Sequence, residues 1–78
     1  SVYPNPNNGN FVIKFDAGNN PNSSLIITNS TGEVIRRTEI KESGIIERKI
    51  NLNNISQGIY NLRIITGENV SKHQIVIK

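Results

Sequence analysis

Catalysis needs side chains that can move a proton, attack an electrophile or hold a metal, and these 78 residues contain few of them. There is one histidine, His73, one aspartate, Asp16, and no cysteine. Without cysteine there is no disulfide, thiol nucleophile or thiolate metal site. A metal centre needs three or four converging ligands, and His73 is far from Asp16 along the chain. His73 is therefore expected as a surface or half-buried side chain. A serine nucleophile requires a base and an acid to orient it, and no serine here has that support. No glycine-rich loop leads from a strand into a helix, so no phosphate cradle is read. Triplets of the Asn-x-Ser/Thr type begin at Asn22, Asn29, Asn54 and Asn69. About two such matches arise by chance in a chain this rich in Asn, Ser and Thr, so they carry little weight. A non-enzyme without metal or cofactor is expected.

Charge and hydropathy exclude further classes. Nine Lys and Arg face six Asp and Glu, a net charge of +3. The cations are spread from Lys14 to Lys78, with Glu33, Glu39, Glu42 and Glu47 among them, as on a solvated surface. Nucleic-acid binders gather positive charge and add aromatic rings for stacking, so no nucleic-acid partner is expected. The longest apolar runs are three residues (Phe11 to Ile13, Leu25 to Ile27, Ile75 to Ile77), against about 20 for a helical membrane span. Membrane insertion is not expected, and no leader of charged then apolar residues is read.

The elements that must position any site are strands. Apolar and polar residues alternate over Asn10 to Asp16, Ser23 to Asn29, Glu33 to Ile40, Ile45 to Leu52, Gly58 to Thr66 and Val70 to Lys78, a period of two. Isoleucine, 14 residues of the 78, is stiff at its branched carbon and suits a pleated, half-buried surface. Turn residues fill the gaps: Pro4 to Gly9, Gly18 to Asn22, Asn29 to Gly32, Ser43-Gly44, Ser56 to Gly58 and Thr66 to Asn69. The pattern predicts an all-β fold, a small antiparallel β-sandwich of immunoglobulin-like type with six to seven strands, as a single domain over residues 1–78. The expected core is Phe11, Phe15, Leu25, Ile27, Ile50, Leu52, Tyr60, Leu62, Ile64, Ile75 and Ile77.

Four short motifs, in order, resemble one family. Val2 to Phe11 reads V-Y-P-N-P-N-N-G-N-F and resembles the Y-P-N-P-x-x-G-x-F opening of the type IX secretion system C-terminal sorting domain, in the type A Por secretion family. Asn29 to Ile35 is similar to its D-x-x-G-x-x-V hairpin. Ile50 to Tyr60 is similar to its I-x-L-x-x-L-x-x-G-x-Y segment, and Ile75 to Lys78 to its closing apolar strand with a terminal Lys. The sequence departs at Asn29, where Asp is usual, and at Gln74, where Lys often precedes the last strand.

The resemblance implies a non-catalytic C-terminal secretion signal that directs a cargo, joined N-terminal to it, across the outer membrane of a Gram-negative bacterium. Its implied partners are the type IX outer-membrane translocon and a sortase-like peptidase that removes the domain. Its implied route is the periplasm in transit, then the extracellular space or the cell surface. Candidate translocon-recognition residues are Pro4, Asn5, Pro6, Gly9, Gly58, Tyr60, Lys72, Ile75, Val76, Ile77 and Lys78. Each also has a plain structural role. Pro4 and Pro6 can hold an extended entry segment and block edge pairing. The glycines can serve turns, and Tyr60 can be a core ring with its hydroxyl at the rim. The last strand, with Lys72, Gln74 and Lys78 on one face, is where a receptor could add a strand or capture a carboxylate. A carbohydrate-binding or adhesive sandwich and an inert immunoglobulin-like spacer are the competing classes. Free strand edges leave room for a strand-pairing dimer.

Overall fold

Alternating branched residues become seven strands in the computed structural model, which describes residues 1–78 and contains no helix. They are β1 (Val2–Tyr3), β2 (Asn10–Asp16), β3 (Ser23–Thr28), β4 (Val34–Ile40), β5 (Ile45–Asn51), β6 (Gly58–Thr66) and β7 (Asn69–Ile77). All pair antiparallel, in a three-stranded sheet ordered β1-β2-β5 and a four-stranded sheet ordered β4-β3-β6-β7. In immunoglobulin lettering this is A-B-E against C′-C-F-G, with the fourth strand joined to the C-F-G sheet. The small antiparallel sandwich is the fold the alternation predicts. The element missed as a separate strand is β1, two residues long and too short to show a period.

The core lies between the sheets, and register explains its membership. Phe11 pairs with Ile50 and Phe15 with Ile46, while Leu25 meets Ile64 and Ile27 meets Leu62 on the facing sheet. Tyr60 and Ile75 stand opposite each other on β6 and β7. The buried cluster also takes in Ile13, Ala17, Ile40 and Ile46, beyond the expected core, whereas Phe15 is only partly buried at its margin. Ala17 and Ile40 lie at strand ends, where alternation gives no phase. At one end the buried Ser23 and Thr66 hydroxyls hydrogen-bond each other at 3.0 Å, so neither is left unpaired.

Two loops show local chemistry at work. Between β3 and β4, Asn29 Oδ1 accepts from the backbone N–H groups of Thr31 (3.1 Å) and Glu33 (2.9 Å) and from the Thr31 hydroxyl (2.9 Å). Its Nδ2 donates to Glu33 Oε1 at 2.9 Å. An Asp at this position could accept the same bonds but would set its carboxylate against Glu33, so the departure to Asn is matched by its neighbour. Between β5 and β6, the Tyr60 ring is buried and its hydroxyl donates to the Ser56 carbonyl at 2.8 Å. That is the tyrosine corner of immunoglobulin-like sandwiches, a Tyr near the start of strand F tied to backbone a few residues upstream. Tyr60→Phe keeps the ring and removes the tie. It is expected to cost about 1 kcal/mol and to lower Tm by about 4–8 °C in a domain of this size. A melting curve superimposable on that of the parent would show that the bond contributes nothing.

Candidate functional site

The geometry of the site starts from the exposed edge of β7, the last strand of the four-stranded sheet. An edge strand presents N–H and C=O groups with no ladder partner, an invitation to pair with another chain. Here the far end of the polypeptide fills part of that row. The Asn5 side chain lies along the edge like a piece of strand: its Nδ2 donates to the Gln74 carbonyl at 2.8 Å and its Oδ1 accepts from the Val76 N–H at 2.9 Å. Two residues on, the Asn7 N–H donates to the Val76 carbonyl at 3.0 Å and the Asn7 carbonyl accepts from the Lys78 N–H at 2.8 Å. Asn7 thus forms an isolated parallel bridge with Ile77.

The strap that does this is the Pro-rich opening. Its Tyr3–Pro4 and Asn5–Pro6 bonds are both cis. The expectation of an extended entry segment is corrected by the backbone path: residues 4–9 bend between β1 and β2 and lie across the edge of β7. Two side-chain bonds hold the strap's own shape. Asn7 Nδ2 donates to the Pro4 carbonyl at 3.0 Å, and buried Asn7 Oδ1 accepts from the Gly9 N–H at 2.8 Å. Gly9 then closes onto the other sheet's connection, its carbonyl accepting from the Leu52 N–H at 2.8 Å.

Most of the predicted residues come together here. Gly58 stands opposite Ile77, Tyr60 opposite Ile75, and Asn5 reaches Gln74 and Val76. Pro4, Pro6 and Gly9 shape the strap, and Lys78, one residue past β7, is held by it through its N–H. Ile75 and Ile77 face the core and are buried, which leaves Val76 half-buried and Gln74 and Lys78 exposed on the accessible side. Lys72 does not join the group. It lies nearer the turn, opposite Arg63. The strap occupies the edge of the last strand from Gln74 to Lys78, the stretch where a receptor could add a strand. Asn7 is the residue the sequence did not single out. Among 13 asparagines, nothing local distinguishes the one whose side chain ties Pro4 to Gly9.

Asn5 gives a sensitive test of the strap. Asn5→Asp retains an acceptor for Val76 but loses the donor to Gln74 and turns a carboxylate oxygen toward a carbonyl. We expect a loss of about 1–2 kcal/mol and faster amide exchange at Val76 and Lys78. Exchange at those two amides unchanged from the parent would mean that the strap is not held by Asn5.

His73 lines an open cleft of about 530 Å³ at the other end of the sandwich, together with Asp16, Lys14 and Ser71. No three His, Cys, Asp or Glu side chains converge anywhere in the chain. Burial, and secondarily the positive N-terminal ammonium, hold the His73 imidazole below its ordinary pKa of 6.5. The neutral ring is favoured in the fold, so its contribution to stability is present above about pH 6.5 and fades as pH falls through its folded value. Of the two tyrosines Tyr3 is exposed and Tyr60 is buried, so a sugar would meet one tyrosine ring and not a pair.

Comparison with known families gives one result: the profile described as secretion system C-terminal sorting domain matches residues 1–78. A comparison with curated proteins found no match.

Proposed function

The chain belongs to the secretion system C-terminal sorting domain family, and from that premise we propose that residues 1–78 act as one sorting domain read at the strap-covered end of β7. Membership makes the domain a sorting signal for type IX secretion, and we read it as non-catalytic. It works with the type IX machinery on a cargo N-terminal to it, and the destination is the cell surface or the extracellular space of a Gram-negative bacterium.

The finer reading is ours. The cargo crosses the periplasm with this domain folded, the outer-membrane translocon recognises the composite edge, and a sortase-like peptidase then removes the domain. The observation that carries it is the pair of Asn5 bonds to Gln74 and Val76, which join residues 69 and 71 positions apart. They bring the opening and closing motifs into one surface that exists only in the folded domain. A receptor that reads this surface accepts a folded cargo tail and ignores an unfolded one. Pro4, Pro6 and Gly9 serve that surface by shaping the strap, Gly58 and Tyr60 by supporting β7 from beneath. Val76 and Lys78, with Gln74, present the accessible groups.

The test fuses a reporter, behind an inner-membrane export signal, to residues 1–78. It is expressed in a bacterium with type IX machinery and in an isogenic strain lacking the translocon. Export only from the first strain, with periplasmic accumulation in the second and a cut N-terminal to the domain, is the expected result. Equal release from both strains defeats the sorting reading. Lys78→Glu and Gln74→Glu, which leave the core intact, are expected to slow export without lowering Tm. Undiminished export from both variants would move recognition away from this edge. A strand-pairing dimer would use the open edge of β4, where Val34 and Ile35 are exposed but Arg36 and Arg37 oppose self-association. Sedimentation of the isolated domain decides that point.

A further inference from the structure

Pairing register brings together cations that lie far apart in the chain. On the outer face of the four-stranded sheet, Arg37 of β4 stands opposite Ile26 of β3, Ile26 opposite Arg63 of β6, and Arg63 opposite Lys72 of β7. Each strand gives one residue to this row, and three of the four are cationic. At about 4.8 Å per strand, Arg37 and Lys72 are about 14 Å apart. Ile26 points outward yet is only 3% exposed, flanked by the two arginine stems, so the row is a continuous surface of aliphatic stems tipped with charge.

The arrangement is unfavourable for the isolated domain. The outward-facing backbone groups of Gln74 and Val76 are bonded to the strap. Lys72, in phase with them, therefore also turns its backbone away from β6. The Arg63–Lys72 pair is then the close, non-hydrogen-bonded kind, in which like charges directly opposite each other destabilise a sheet. No acid of the chain forms an ion pair with Arg63 or Lys72. The one ion pair, Arg48 with Glu42, involves the other sheet, and Glu39, on this face, is engaged by the Ser24 hydroxyl at 2.6 Å. Around the row the same face leaves Val34 (53%), Ile59 (50%) and Val70 (53%) exposed.

We propose that this face docks an acidic protein surface, whose carboxylates meet Arg37, Arg63 and Lys72 while aliphatic side chains cover Val70 and Ile59. This goes beyond the sorting reading, because the row lies on the broad face of the sheet and not at the strap-covered edge. The charge row calls for carboxylates. The aliphatic surround, with no aromatic ring on the face to stack a sugar or a base, selects protein over acidic polysaccharide or nucleic acid.

The test is an NMR titration of the 78-residue chain with poly-L-glutamate, and in parallel with polygalacturonate, at low and physiological salt. Expected are amide shifts centred on Ile26, Arg37, Arg63 and Lys72, tighter binding to poly-L-glutamate, and weakening by salt. Arg63→Gln with Lys72→Gln should weaken binding at least tenfold while raising Tm, because the opposed charges are gone. Lys14→Gln with Lys49→Gln removes the same charge from the other sheet and should leave binding within twofold of the parent. Equal weakening by the two double variants would reduce the effect to net charge and overturn the proposal. Shifts centred elsewhere would overturn it as well. Tighter binding to polygalacturonate would overturn the assignment to protein.

Discussion

Gly9→Ala is expected to remove about half of the stability of the domain. Gly9 sits at φ +110°, a conformation that an L side chain rarely adopts, and a Cβ added there would lie 2.7 Å from the Leu52 carbonyl oxygen and 3.2 Å from Ile55 Cγ2. The backbone cannot retreat, because its own carbonyl holds the Leu52 N–H and its N–H is held by Asn7 Oδ1. Backbone strain of about 1–3 kcal/mol adds to about 1–3 kcal/mol of overpacking. A domain of this size has a stability of about 4–12 kcal/mol, so half or more of it is at risk. Thermal melts followed by circular dichroism should show Tm lowered by about 15 °C or more. Gly32→Ala is the control. Gly32 also has positive φ, at +89°, but open space where the Cβ would go, so the penalty there is strain alone and should be about half as large. Equal losses at the two sites would mean that the close approach to Leu52 is not the cause.

Removal of Ile75 to Lys78 should abolish cooperative unfolding altogether. Ile75 is fully buried and Ile77 nearly so, and cutting back a single buried isoleucine to alanine costs about 2–5 kcal/mol. The deletion also strips β6 of its partners at Gly58, Ile59 and Tyr60, takes Val76 from Asn5, and takes both backbone partners, Val76 and Lys78, from Asn7. The sum exceeds the stability available. The consequence for function is direct: a truncated tail that fails to support export reports the loss of the fold, not the loss of a receptor contact. A truncated chain that still melts sharply near the parental Tm would contradict this and would return the last four residues to a purely recognising role.

Much of this molecule is written locally. The period of two places β2 and β6 to the residue, because Phe11-Ile13-Phe15 and Tyr60-Leu62-Ile64 can bury only one face of a strand. Turn chemistry separates the hairpins, with Asn29 to Gly32 and Gly67-Glu68 reversing the chain where alternation stops. The motifs at Tyr3 to Gly9 and at Ile75 to Lys78 are equally visible, and so is the family they resemble.

Where these pieces meet is another matter. Hydrophobic alternation states which side of a strand is buried and says nothing of which strand lies beside it. That choice depends on pairing between segments tens of residues apart. So the single group formed by Asn5, Asn7 and the end of β7, and the row formed by Arg37, Arg63 and Lys72, follow from strand order and register alone. One-dimensional periodicity and turn propensity, both short-range effects, made the sandwich predictable from the chain. Long-range pairing, decided only when two sheets close over a shared core, turned a Pro-rich opening into the cover of the last strand and scattered cations into one surface.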